Sequence, residues 1–131
     1  MLCKERTTRP ETMTDPPPIS DTSIQQILAV GGTDLLQELK EVFHRTIPER
    51  IAASRRAAAR GDLETVAQEM HALRSGAANM GALPLRDLAE TVEIRARNRN
   101  TAIDDVKALL DALEHQFRRA ADALEAQPSE A

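Results

Sequence analysis

Seven apolar side chains, Ile103, Val106, Leu110, Leu113, Phe117, Ala120 and Leu124, recur at steps of three and four in the last third of this chain. At about 100° per residue that spacing gathers them on one stripe of an α-helix and on no single face of a strand. The same rhythm governs three further segments. Leu35, Leu39, Val42, Phe43, Ile47 and Ile51 carry it along a helix expected from Thr33, a suitable N-cap, to about Arg60. Leu63, Val66, Met70, Leu73, Ala77 and Met80 carry it along a helix capped by Asp62, and Leu85, Leu88, Ala89 and Val92 along one with Pro84 in its first turn. Thr101 is the expected cap of the last helix, and a shorter helix over about 23–30 should stop at Gly31-Gly32. Pro48 interrupts the second pattern without an N–H to donate, which predicts a kink or break just before it. The pattern implies an all-α fold, an antiparallel four-helix bundle with a short additional N-terminal helix over one end.

At 131 residues the chain suits one domain with a single core. It has no Trp or Tyr, and Phe43 and Phe117 are its only aromatics besides histidine, so Ala and Leu must build that core. These residues favour close-packed helices. Residues 1–19, with Pro10, Pro16, Pro17 and Pro18 among polar neighbours, read as a disordered N-terminal segment. Residues 20–126 form the helical domain, and 127–131 a frayed tail. Met13 offers an alternative translation start, since the pattern begins only after it.

No apolar run reaches membrane-span length, no signal-peptide pattern is seen, and Cys3 is the single cysteine. A reducing cytoplasm fits, with neither an intrachain disulfide nor a cysteine-based metal site. A net charge of -4 gives no reason to expect nucleic-acid binding.

His71 is the chemically distinctive residue. It projects about 130° from the centre of its helix's apolar stripe and should face water. Ser75 and Ala78, at i+4 and i+7, flank it with little bulk. By itself this is a surface histidine on an Ala-rich helix. No nucleophile elbow, phosphate-cradling glycine loop or His-Glu-x-x-His motif accompanies it. His44 and His115 lie on other helices without ligand-like spacing, and Arg45, Arg50, Arg55, Arg56 and Arg60 read as a solvated face.

His71, Leu73, Arg74, Ala77, Gly81, Ala82 and Leu85 resemble, in type and spacing, the core motif of the histidine phosphotransfer (HPt) domain. That motif runs approximately His-x-Leu-Lys-Gly-(Ser/Ala)-Ala, with a glycine ten positions after the histidine. Phe43 with Pro48-Glu49 is similar to the family's Phe-x-x-x-x-Pro-Glu segment, and Gly61-Asp62 to its Gly-Asp turn. The resemblance covers about residues 20–125. The chain departs from the pattern at Ser75-Gly76, which reverses the usual small pair, and at Met70, where Ala usually precedes the histidine. Both changes keep the face small or apolar.

The resemblance implies a phosphoryl carrier rather than a stand-alone enzyme, with His71 as phosphoacceptor. The group would come from a receiver-domain aspartyl phosphate and pass to another receiver in a two-component phosphorelay. The expected partners are receiver domains of a hybrid histidine kinase and of a response regulator. HPt domains bind no ATP, so no cofactor is expected here, and Mg²⁺ would sit on the receiver. An imidazole of ordinary basicity, with a pKa of about 6.5, is mostly neutral and nucleophilic at pH 7.

Small side chains at Ser75 and Ala78 would admit the partner. Arg74 takes the place usually held by Lys and would neutralise phosphoryl oxygens or pair with an acidic receiver surface; an ordinary solvated Arg is the alternative. Glu93 stands where relatives carry a polar residue, often Gln. Reaching His71, it would orient the ring and also repel an incoming phosphoryl group; otherwise it is a plain solvent-facing Glu.

Two other functions compete. A histidine-kinase dimerisation helix also follows its histidine with Leu-Arg, but normally continues Thr-Pro and precedes an ATP-binding domain. A non-catalytic helical adaptor would use the same bundle to bind a receiver or another signalling partner. The bundle needs no second chain, so a monomer is expected.

Overall fold

The computed structural model describes residues 16–127. It contains four helices: α1 (Asp21–Ala59), α2 (Leu63–Met80), α3 (Leu83–Arg97) and α4 (Ile103–Glu125). Each packs on the next and α4 closes back onto α1. The links are short, so neighbours run antiparallel, as the apolar rhythm predicts. The expectations for residues 1–15 and 128–131 lie outside the described residues.

The core is aliphatic. Leu36 and Ile47 of α1, Met70 and Leu73 of α2, Leu85 and Val92 of α3, and Leu110, Leu113 and Leu124 of α4 are all sealed from solvent. Each such side chain contributes about 1.5–3 kcal/mol of transfer free energy. The face differs from expectation at Val42, which is 42% exposed. Ser54 lies fully buried with no hydrogen-bond partner for its hydroxyl. An unsatisfied buried hydroxyl carries a desolvation penalty, so Ser54→Ala should raise unfolding free energy by about 1 kcal/mol. Urea titration checks this; a loss of stability would show that the hydroxyl has an internal partner.

Gly32 divides α1, with φ 67° and ψ -162°, a backbone conformation open essentially to glycine. The segment before it is the expected short helix, starting slightly earlier at Asp21, where the Ser20 hydroxyl accepts from the Ser23 amide at 3.3 Å. Ile19, Ile24 and Ile27 are buried, so packing already includes Ile19 from the segment expected to be unstructured.

Two expectations of local geometry need correction, a break at Pro48 and a cap at Thr101. Pro48 lies within α1 without breaking it: Gly32 is the single residue of α1 outside helical φ/ψ. Pro48 itself is exposed, whereas Ile47 and Ile51, about 100° and 60° around the helix from it, are buried. Packing of these flanks outweighs one lost backbone bond, whose carbonyl can turn to water. The cap of α4 is Ala102 rather than Thr101, and no side-chain hydrogen bond accompanies it.

Gly81 ends α2 in the left-handed region, at φ 75°, with its N–H directed to the carbonyls of Ala77 and Ala78. Its own carbonyl accepts from the Ser20 amide at 2.8 Å, fastening the N-terminal turn to the α2–α3 corner. A β-carbon here would lie 2.4 Å from the Ser23 β-carbon. Gly81→Ala should therefore lose more than the 1–2 kcal/mol or so of left-handed strain, read as a drop in urea midpoint. An unchanged midpoint would contradict the close approach.

Candidate functional site

Asp62 starts α2 by accepting from the Thr65 amide at 3.1 Å and the Thr65 hydroxyl at 2.6 Å. The Thr65 hydroxyl, its amide and the nearby Arg60 hold the Asp62 carboxyl below the ordinary range. From that start the helical phase turns Met70, Leu73 and Ala77 inward and His71, Ser75 and Ala78 outward. The His71 side chain is 68% exposed. Helix α3 runs back alongside, and Arg86, Glu90, Glu93 and Arg97, spaced at i, i+4, i+7 and i+11, share a strip of it.

Glu93 gathers the centre. Its side chain is only 7% exposed, yet it is not solvent-facing or idle. Oε1 accepts from Arg74 Nη1 at 2.8 Å, and Oε2 from Arg97 Nη1 at 2.6 Å. Oε2 also lies 3.1 Å from His71 Nδ1. Burial pushes the Glu93 carboxyl upward, but donors on Arg74, His71 and Arg97 outweigh it and leave the group below the ordinary glutamate range. The bond to Glu93 in turn raises Arg74. An ionised carboxylate has no proton to give, so His71 Nδ1 must be the donor. Nε2 then carries the ring's lone pair, and it has no hydrogen-bond partner among the described residues.

Beside the ring is an open depression of about 190 Å³, lined by His71, Arg74, Ser75, Ala78 and Arg86. A larger hollow of about 410 Å³ between α1 and α4 contains no His71.

A family model, the Hpt domain, matches residues 38–127, a span that includes His71, Glu93 and Arg97. The chain belongs to the Hpt domain family. As an Hpt protein it works in histidine phosphotransfer within a phosphorelay, and receiver domains are the partners with which Hpt proteins interact. The fold agrees with a solved structure, histidine-containing phosphotransfer protein B (HptB) from Pseudomonas aeruginosa PAO1. The TM-score is 0.76 at 22% identity, over 85% of this chain and 94% of that one. No curated protein matches. Among the described residues no helix is long and apolar enough to cross a membrane.

Of the residues singled out in the sequence, the Hpt bundle brings His71, Arg74, Ser75, Ala78 and Glu93 together. Gly81 stands apart, ten residues or about 15 Å along the helix from His71, where it shapes the corner. His44 belongs to another surface: Nδ1 faces the Lys40 carbonyl at 2.8 Å and Nε2 lies 3.4 Å from Glu125. His115 is exposed on α4. The arginines expected to form a solvated face are partly paired, Arg50 with Glu69 at 3.0 Å and Arg55 with Glu114 at 2.6 Å. Sequence reasoning missed Arg86 and Arg97. Their spacing from Glu93 was a usable signal, once Glu93 was known to face α2.

Proposed function

We propose that His71 is the phosphoryl acceptor of this Hpt protein. One observation carries the reading: an exposed imidazole whose Nδ1 is held by a buried carboxylate, leaving Nε2 open beside small side chains. The Nε2 lone pair attacks the phosphorus of a receiver's aspartyl phosphate. As the N–P bond forms, the bond from phosphorus to the aspartyl oxygen breaks and the carboxylate leaves with its electron pair. Nδ1 keeps its proton throughout. The ring becomes cationic as the bond forms, and Glu93 at 3.1 Å balances that charge. Reversal of the step delivers the group to a second receiver.

On this reading the donor is the receiver of a hybrid histidine kinase and the recipient that of a response regulator. The carrier acts as a cytoplasmic monomer with no cofactor of its own, and Mg²⁺ is supplied by the receiver. Incubation with a phosphorylated receiver should transfer acid-labile label to this chain. Stable binding without label would instead support an adaptor.

The small residues set access. Ser75 and Ala78 are exposed and line the depression, so Ala78→Phe should slow transfer from a phospho-receiver strongly. Its unfolding free energy should change by less than about 1 kcal/mol, as for other surface substitutions. Transfer at the wild-type rate would show that the partner approaches from elsewhere.

A further inference from the structure

Three arginines border the acceptor face, and they are not equally free. Arg74 and Arg97 are committed to Glu93, at 2.8 Å and 2.6 Å. Because the Glu93 side chain is 7% exposed, water cannot readily replace a donor that leaves it. Arg86 is held differently. Nε and Nη2 reach one oxygen of Asp87, its chain neighbour, at 2.9 Å and 2.8 Å, and that aspartate is 63% exposed. Pairs of this kind contribute little net stability, because water competes for both partners.

Arg86 nevertheless lines the same depression as His71. With α2 and α3 antiparallel, it sits towards the Ala78 end, about 10 Å along the axis from His71. Between them stand Ser75 and Ala78, neither bulky enough to block a long side chain. A phosphoryl group brings nearly two negative charges and three acceptor oxygens. Recruiting Arg74 to it would strip a donor from a buried carboxylate just as another anion arrives. Recruiting Arg86 breaks only one exposed pair and offers a planar fork suited to two oxygens.

We infer that Arg86, rather than the motif arginine Arg74, is the cation that meets the phosphoryl oxygens at His71. The inference rests on His71 being the acceptor. Arg74 then stays on Glu93 and screens that carboxylate from the incoming dianion.

The test labels the full chain with phosphoramidate, a small phosphodonor that brings no docking surface, and follows phosphohistidine by ³¹P NMR. Wild type, Arg86→Ala, Arg86→Lys and Arg74→Ala are compared, with His71→Gln as the blank. Arg86→Ala should shift the phosphohistidine resonance and slow labelling roughly tenfold, the scale of one charge-assisted hydrogen bond. Arg86→Lys should recover part of the rate, and Arg74→Ala should move the resonance less than Arg86→Ala. Equal or reversed effects of the two alanine variants would overturn the assignment to Arg86. A wild-type spectrum lacking any resonance that His71→Gln removes would overturn the acceptor reading itself, and this inference with it.

Discussion

His71→Gln should fold like wild type and accept no phosphoryl group. The side chain is 68% exposed and packs into no core, so its replacement leaves the buried stripe of α2 untouched. A glutamine amide has no nucleophilic nitrogen lone pair comparable to that of imidazole, so the loss should be complete rather than graded. His44 and His115 should not substitute, since neither shares the open depression beside Glu93. Label retained in the variant, or shifted to either histidine, contradicts the assignment. Circular dichroism and a urea titration separate this outcome from misfolding.

Glu93 is the second place where a single atom group should matter greatly. Glu93→Ala removes the acceptor for Nδ1 and leaves two guanidiniums without their carboxylate. Arg74 and Arg97 are 34% and 46% exposed, so both can turn to water. The stability loss should therefore stay near about 1–3 kcal/mol, below that of a pair stranded in a dry core. The kinetic loss should be larger in consequence. With ring and tautomer unconstrained, transfer should fall up to about 100-fold. Glu93→Gln keeps an oxygen for Nδ1 and should restore much of the rate.

Acid separates these two variants from wild type. The Glu93 carboxyl is held below its ordinary value, so its ionised form adds stability above that ordinary value of about 4.3. That contribution fades as pH falls through 4.3 or so and then through the depressed folded value. Urea midpoints of Glu93→Gln should decline less than those of wild type over this acid range. Parallel declines would show that Glu93 is not the sensitive group.

The helices were legible because burial leaves a periodic trace in apolar side chains. Met70, Leu73 and Ala77 announce the phase of α2, and that phase alone turns His71 outward. Asp62 and Pro84 likewise mark helix starts through local chemistry. Pro48 misled because its local cost was visible while the compensating burial of Ile47 and Ile51 depended on partners across the bundle. Thr101 misled because a cap depends on where the chain turns, here one residue later.

Charged residues were the least legible. A glutamate ordinarily signals solvent, and only the arrangement of α2 against α3 reveals that Arg74, Arg97 and His71 together hold Glu93 under the surface. Arg86 carried only its seven-residue spacing from Glu93, a signal that has meaning once Glu93 is known to face α2. Its place beside His71 exists only once the two helices are set antiparallel with the Gly81 corner between them.

Phosphorus should bond to His71 through Nε2 while Nδ1 stays on Glu93. Long-range ¹H–¹⁵N NMR of the phosphorylated chain, labelled with ¹⁵N histidine, reads this directly through coupling of phosphorus to one ring nitrogen. The expected result is coupling to Nε2 of His71, with Nδ1 protonated. Coupling to Nδ1, or to a nitrogen of His44 or His115, would contradict it.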